Sequence, residues 1–260
     1  MSDNFTNMSI EIKDSVYSTR YVAFLDILGF SEIVRQSVTS SDQAGKLIGL
    51  LENIANASTQ YGDVTVLQKD DFRAQSFSDC IVLSENASPV GLFHLLGAVN
   101  ALSLDLLENG IFTRGGIAKG MLHHSDKVVF GPAMLDAYRI ESTIARYPRI
   151  LVDKATHLDY QQPHFSTIKG KNGLSPRLAF DTDGPPFLDI LHLVRRADPD
   201  MEEKIASCRV EIQKALDASV YEPKHFEKLR WLTIYWNGVA LDRGAALVNF
   251  PQVNDLNSIP

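Results

Sequence analysis

Apolar positions recur along this chain in two alternating rhythms. Tyr21-Val-Ala-Phe-Leu25 is a continuous apolar run of strand length, the form a strand takes when both of its faces are buried. Between Ser40 and Tyr61 the spacing becomes helical, with Ala44, Leu47, Ile48, Leu51, Ile54 and Ala55 on one face. Val64 to Leu67 and Phe72 to Ser84 read as two antiparallel strands joined by Gln68-Lys-Asp-Asp71. A second amphipathic helix is predicted from Pro89 to Glu108, with Leu92, Leu95, Leu96, Val99, Leu102 and Leu106 inward and Gly110 at its C-cap. Phe112 to Met121 and Lys127 to Phe130 are strand-like, Gly131-Pro-Ala133 opens a helix to about Ile144, and Ile150 to Val152 is again a strand. Asp183-Gly184 predicts a turn between two short strands within Phe180 to Asp189. Beyond Pro199 the chain reads as helical to about Leu241, broken at Tyr221-Glu-Pro-Lys224.

The order β-α-β-β-α-β predicts an α/β (α+β) fold with a ferredoxin-like palm and an antiparallel-rich central sheet. It divides the chain into an aperiodic, flexible N-terminal arm (1–17), a palm domain (18–195) and a C-terminal helical extension (196–260). With 45% hydrophobic and 22% charged residues among 260, the composition is that of an ordinary globular protein. The longest apolar stretches are interrupted by charge short of a membrane span, and the N-terminus lacks a basic-then-apolar leader, so no membrane association is expected. Cys80 and Cys208 are the only cysteines and lack metal-type spacing, which fits a reducing cytoplasm. A net charge of −7 argues against nucleic-acid binding, which needs a broad positive footprint. It leaves room for a small polyphosphate, which needs only a local cluster of cations and N–H groups.

Two aspartates carry the candidate chemistry. Asp26 ends the first apolar run, and Asp79 sits in Gln75-Ser-Phe-Ser-Asp-Cys-Ile-Val-Leu-Ser84. A carboxylate in Phe, Ile, Val and Leu surroundings is costly to bury without a partner, and a pair of them invites a pair of divalent cations. The short loop after Asp26 contains Gly29 and runs into helix-like sequence, so its N–H groups could cradle phosphates. Metal, phosphate and nucleotide together are the expectation.

Four segments resemble the class III nucleotidyl cyclases, in the order that family uses: Phe24-Leu-Asp-Ile-Leu-Gly-Phe-Ser31, Phe77-Ser-Asp-Cys80, Arg114-Gly-Gly-Ile-Ala-Lys-Gly120 and Phe130-Gly-Pro-Ala-Met-Leu-Asp-Ala-Tyr-Arg-Ile-Glu-Ser142. The similarity spans about Tyr17 to Leu191, which makes 18–195 a cyclase-like catalytic domain. The resemblance implies that Asp26 and Asp79 bind two Mn²⁺ or Mg²⁺ ions, with the carbonyl of Ile27 assisting. It implies that Leu28, Gly29, Phe30 and Ser31 wrap the β- and γ-phosphates, with Lys169 of a glycine-rich loop beside them. Arg139 matches the arginine that meets the α-phosphate, usually from the partner subunit of a head-to-tail homodimer.

Departures from the family pattern narrow the resemblance. The position of the transition-state asparagine is Leu135, and the two usual purine-reading positions are Gln75 and Val128. This combination resembles the bacterial antiphage Pycsar branch, pyrimidine cyclases that make cyclic UMP or cyclic CMP from UTP or CTP as a signal for a separate effector protein. Gln75, whose amide both donates and accepts, together with Arg73 and Arg114, are the candidate base contacts. Arg114 equally suits a structural role, locking its strand to a carboxylate. An adenylate or guanylate cyclase with unusual base reading, and a non-catalytic cyclase-fold nucleotide sensor, are the rival readings. His123 and His124 are expected in a loop, Cys80 as a small core residue, and Trp231, Tyr235 and Trp236 in packing or dimer contacts.

Overall fold

The computed structural model describes residues 16–55, 71–168, 175–192 and 201–251. The Val64–Leu67 strand, Lys169 and most of the N-terminal arm fall outside the described residues. Within them, β1 (Ser18–Ile27) leads through α1 (Phe30–Ser37) and α2 (Ser41–Ala55) to the hairpin of β2 (Arg73–Phe77) and β3 (Cys80–Asn86). Helix α3 (Pro89–Glu108) then returns the chain to β4 (Thr113–His124). These four strands lie in the order β2-β3-β1-β4, with every neighbouring pair antiparallel. That split arrangement, with β3 inserted between β1 and β2, is the ferredoxin-like palm expected from the sequence.

Further strands extend the sheet on the β4 side. β5 (Val129–Phe130) turns back on the end of β4, while β6 (Ile150–Val152), β8 (Phe187–Leu188) and β7 (Leu178–Ala179) continue the sheet. Between β5 and β6 lies α4 (Pro132–Arg139), which widens at once into a π-helical turn, Ile140–Ile144. Two short helices, α5 (Lys154–Tyr160) and α6 (Pro163–Thr167), follow β6, and α7 (Glu202–Ala218) and α8 (Pro223–Arg243) end the fold.

The period-2 alternation of β1 divides the core into two layers. Tyr21, Ala23 and Leu25 face α3 together with Ile81, Leu83 and Ile117. Val22 and Phe24 face the other way, onto Ala133, Ala137 and Ile140 of the α4 segment. Helix α3 begins with Ser88, whose hydroxyl accepts from the Gly91 N–H, and ends at Asn109–Gly110, where Gly110 takes φ +75°. It is long and apolar enough to cross a membrane, yet most of that stretch is buried in the core. Even its polar His94, Asn100 and Ser103 are buried, because the helix packs between the sheet and α5, α6 and α7.

Two expectations need correction. Phe72 to Ser84 is a hairpin rather than one strand: Ser78 and Asp79 form a two-residue turn between paired Phe77 and Cys80. His123 and His124 belong to the end of β4, pairing with Phe130 and Val129, and are held by partners. His124 is buried against the Ser84 hydroxyl at 2.7 Å, and burial pushes its pKa down to about 4.

Candidate active site

Strand pairing brings the two aspartates to one end of the sheet. Asp26, near the C-terminal end of β1, lies between Cys80 on β3 and Arg114 on β4. The chain then stays in register beyond the carboxylate: the Ile27 N–H donates to the Asp79 carbonyl at 3.0 Å, and the Leu28 N–H to that of Phe112 at 2.8 Å. Asp79 therefore sits beside the end of β1, at the tip of the β2–β3 hairpin. Its predecessor Ser78 adopts φ +57°, a left-handed conformation that a serine takes only at some cost.

A third carboxylate joins them. Glu141, in the π turn after α4, is buried, and its Oε1 stands 2.6 Å from Nη2 of Arg114. The same guanidinium nitrogen is 3.1 Å from Asp26 Oδ2. Burial raises the pKa of Asp26 and of Glu141. Arg114 pulls both back down; the charge of Asp79 pushes both up, and that of Asp26 adds to the rise at Glu141. The Cys80 thiol is pushed up to about 12 by burial and the nearby Asp79, so it is no thiolate nucleophile. Arg114 thus has the strand-locking role among carboxylates that its position allowed.

Sequence reasoning overlooked Glu141. Its signal was present: residues 133, 137 and 141 follow one another at helical spacing on the sheet-facing side, and the third is an acid. The π turn that holds it is a rare form that tends to occur at functional sites.

The carboxylates suit a hard cation. Mg²⁺ and Mn²⁺ prefer oxygen donors and are commonly held by one or two carboxylates plus substrate phosphates. Asp26, Asp79 and the Ile27 carbonyl are the groups that could supply such donors, and Arg114 balances Asp26 at 3.1 Å. Among the described residues, no group of three or more His, Cys, Asp or Glu side chains is arranged as a metal cage. A donor set of this kind depends on the ligand for its remaining oxygens.

The loop after β1 leads straight into α1. Gly29 is the N-cap at φ +75°, a conformation that favours glycine, and no side chain caps the helix. The N–H groups of Phe30 and Ser31 therefore head α1 at the positions that lack intrahelical acceptors. A cavity of about 380 Å³ opens beside this loop. Leu28, Gly29 and Phe112 form one wall, and His225, Lys228 and Leu229 of α8 form part of the other.

The remaining candidates are dispersed. Gln75 lies on β2 opposite Val82, and its side-chain Oε1 is buried without a hydrogen-bond partner among the described residues. Arg73, two residues away on the same strand face, is ion-paired with Asp71 at 3.1 Å and Asp126 at 2.9 Å. Arg139 is 62% exposed on α4, its nearest carboxylate Asp136 at 3.9 Å, beside Asp153 and Lys154. No contact joins it to Asp26, Asp79 or Arg114 among the described residues. Leu135 is 68% exposed on the same helix; Tyr138 on that helix and Phe130 on β5 are also exposed apolar residues.

No protein-family model matches this chain, and no curated protein matches it in sequence. Among solved structures it is similar to the monomeric guanylyl cyclase domain of the RhoGC fusion protein from the aquatic fungus Blastocladiella emersonii. That match has a TM-score of 0.45 and 16% identity, covering 66% of this chain and 94% of that one. It is also similar to the catalytic core of a rhodopsin-guanylyl cyclase with converted specificity in complex with ATPαS, at TM-score 0.43 and 16% identity, covering 66% and 96%. A third similar structure is the adenylate/guanylate cyclase/hydrolase from Silicibacter pomeroyi, at TM-score 0.41 and 16% identity, covering 66% and 94%.

Proposed function

We propose that this chain is a nucleotidyl cyclase that converts a pyrimidine nucleoside triphosphate, UTP before CTP, into its 3′,5′-cyclic monophosphate and pyrophosphate. One observation carries the reading: the palm topology sets Asp26 and Asp79 side by side next to an uncapped, glycine-led helix start. Carboxylates for divalent cations and N–H groups for phosphate then share one end of the sheet. Loss of both purine readers, now Gln75 and Val128, supports the pyrimidine assignment.

In this reaction the ribose 3′-oxygen bonds to the α-phosphorus, the bond from that phosphorus to the bridging oxygen breaks, and the 3′-hydroxyl proton is released. Two divalent cations, when bound, would lower the 3′-hydroxyl pKa and offset charge on the attacking and leaving oxygens. Asp26, Asp79 and the Ile27 carbonyl would hold them. The N–H groups of Gly29, Phe30 and Ser31 receive the β- and γ-phosphates. Gln75 addresses the pyrimidine edge, its partnerless buried amide oxygen supporting a ligand-facing role.

Arg139 belongs to the site of a second copy in a head-to-tail homodimer. Its exposure and the absence of a contact with the same chain's aspartates among the described residues support this, as do the exposed Leu135, Tyr138 and Phe130. The cyclic product would act as an antiphage second messenger read by a separate effector, a role that rests on the Pycsar resemblance.

The test is product analysis from purified protein given ATP, GTP, CTP and UTP separately with Mn²⁺, with Asp26→Ala and Asp79→Ala in parallel. Cyclic UMP or cyclic CMP from the parent protein and from neither variant is the expected result. A cyclic purine would keep the chemistry and remove the pyrimidine assignment. Nucleotide binding with no product from any triphosphate would replace the enzyme with a nucleotide sensor.

A further inference from the structure

We infer that Lys228 of α8 is a triphosphate-contacting residue, so the C-terminal helices supply part of the substrate site. The inference deepens the proposed function and rests on it. The cavity beside the phosphate loop has Leu28 and Gly29 on one side and Lys228 on the other. A phosphoryl group seated at the Gly29 end of the loop would share that cavity with Lys228.

The electrostatics of Lys228 point the same way. Its side chain is half-buried, and no ion pair or hydrogen bond engages it among the described residues. Burial lowers its pKa, the charge of Arg114 lowers it further, and Asp26 and Glu227 pull it up. The amine thus senses both ends of the Asp26–Arg114 pair while lacking a bound anion. A half-buried cation without a direct partner among the described residues is one that an anionic ligand would stabilise.

The acids around the cavity do not fill that role. Glu222 is bound to His225 at 2.7 Å, and Glu32 lies 3.5 Å from Arg35. Each is engaged by a basic side chain three residues further along the chain. The position of Lys228 is also fixed. Leu229 and Leu232, which follow it, are buried in the main core, and Trp231 donates to Asp181 at 2.6 Å. α8 cannot slide without breaking these contacts, so the amine is held close to the loop.

The experiment is calorimetric titration of the full-length protein with tripolyphosphate, and separately with UTP, each with Mg²⁺. The variants are Lys228→Ala, Lys228→Arg, Asp79→Ala and, as a charge control, Lys224→Ala on the exposed first turn of the same helix. Loss of one charge-assisted contact should weaken tripolyphosphate binding by roughly tenfold in Lys228→Ala. Lys228→Arg should restore most of that affinity, and Lys224→Ala should bind as the parent does. Equal weakening in Lys224→Ala and Lys228→Ala would overturn the assignment in favour of diffuse surface charge. Parent-like binding by Lys228→Ala, with Asp79→Ala impaired, would overturn it and leave the cyclase reading standing. Failure of the parent protein to bind either ligand would overturn both.

Discussion

Replacing Arg114 with methionine isolates the electrostatic core of the site. Methionine keeps much of the apolar stem and removes the guanidinium. Arg114 is 24% exposed, Asp26 18% and Glu141 4%, so all three charges are largely withdrawn from water. Breaking a buried ion pair by deleting one partner costs about 3–5 kcal/mol, because the other charge is left uncompensated. Residual exposure of Arg114 and Asp26 puts this case near the lower limit, about 3 kcal/mol. In a protein of this size each kcal/mol moves the melting temperature by roughly 2–4 °C, so Arg114→Met should melt about 6–12 °C below the parent. Mn²⁺ should then raise the variant's melting temperature more than the parent's, since the cation no longer competes with Arg114 for Asp26. Adding Glu141→Gln should recover part of the loss, giving a non-additive double-mutant cycle. Melting within about 2 °C of the parent, or equal Mn²⁺ shifts in both proteins, would refute the reasoning.

Four other outcomes are expected. In Gly116→Ala the new Cβ would lie 2.4 Å from the Ala137 carbonyl oxygen and 2.7 Å from Ile140 Cβ. It should force α4 off the sheet at a cost of about 1–3 kcal/mol or more, read by urea denaturation. Arg149→Met should cost about 1–3 kcal/mol in the same assay, since the partly exposed Asp181 and Asp183 lose the buried guanidinium stacked near Tyr147 and Trp231. Burial raises the folded-state pKa of Asp26, so the stability it contributes is complete below the ordinary value of 3.8 and lost as pH rises through the folded value. The melting temperature of Asp26→Asn minus that of the metal-free parent should therefore increase as pH rises from acidic toward neutral. Finally, calorimetric Mn²⁺ affinity should rise at least several-fold in the presence of a triphosphate analogue that cannot cyclise, and equal affinity with and without it would refute the coupling.

The sequence revealed most where periodicity is local. The bounds of α3 were legible because Ser88-Pro89 and Gly110 mark its ends and its leucines keep one register. The β2–β3 hairpin was hidden because its turn is Ser78-Asp79, without the glycine or asparagine that usually marks a left-handed position. That same absence is informative at a site, since the left-handed serine shapes a hairpin tip whose Asp79 carbonyl accepts from the Ile27 N–H at the end of β1. The Arg114–Glu141 pair and the approach of Lys228 to the loop depend on pairings between distant segments. No spacing rule encodes such contacts. They follow only once the strand order has been settled.

Charge balance explains why these distant residues belong together. Asp26, Asp79 and Glu141 set three negative charges against the two cations Arg114 and Lys228, leaving one negative charge in excess. Two divalent cations bound without nucleotide would swing the centre to an excess of three positive charges. A triphosphate carrying roughly four negative charges, bound without metal, would be repelled by the carboxylates at its edge. Only their joint arrival returns the site to within one charge of its starting balance. Cation and nucleotide should therefore favour each other's binding, and by linkage the effect must be the same in both directions. Arg114 fits this scheme as the cation that balances Asp26 and Glu141 between encounters, and must yield Asp26 when metal binds. Removing it leaves two uncompensated carboxylates, which a single divalent ion neutralises. The expected rescue of Arg114→Met by Mn²⁺ without nucleotide and the cooperative loading of the parent protein are thus two consequences of one charge count.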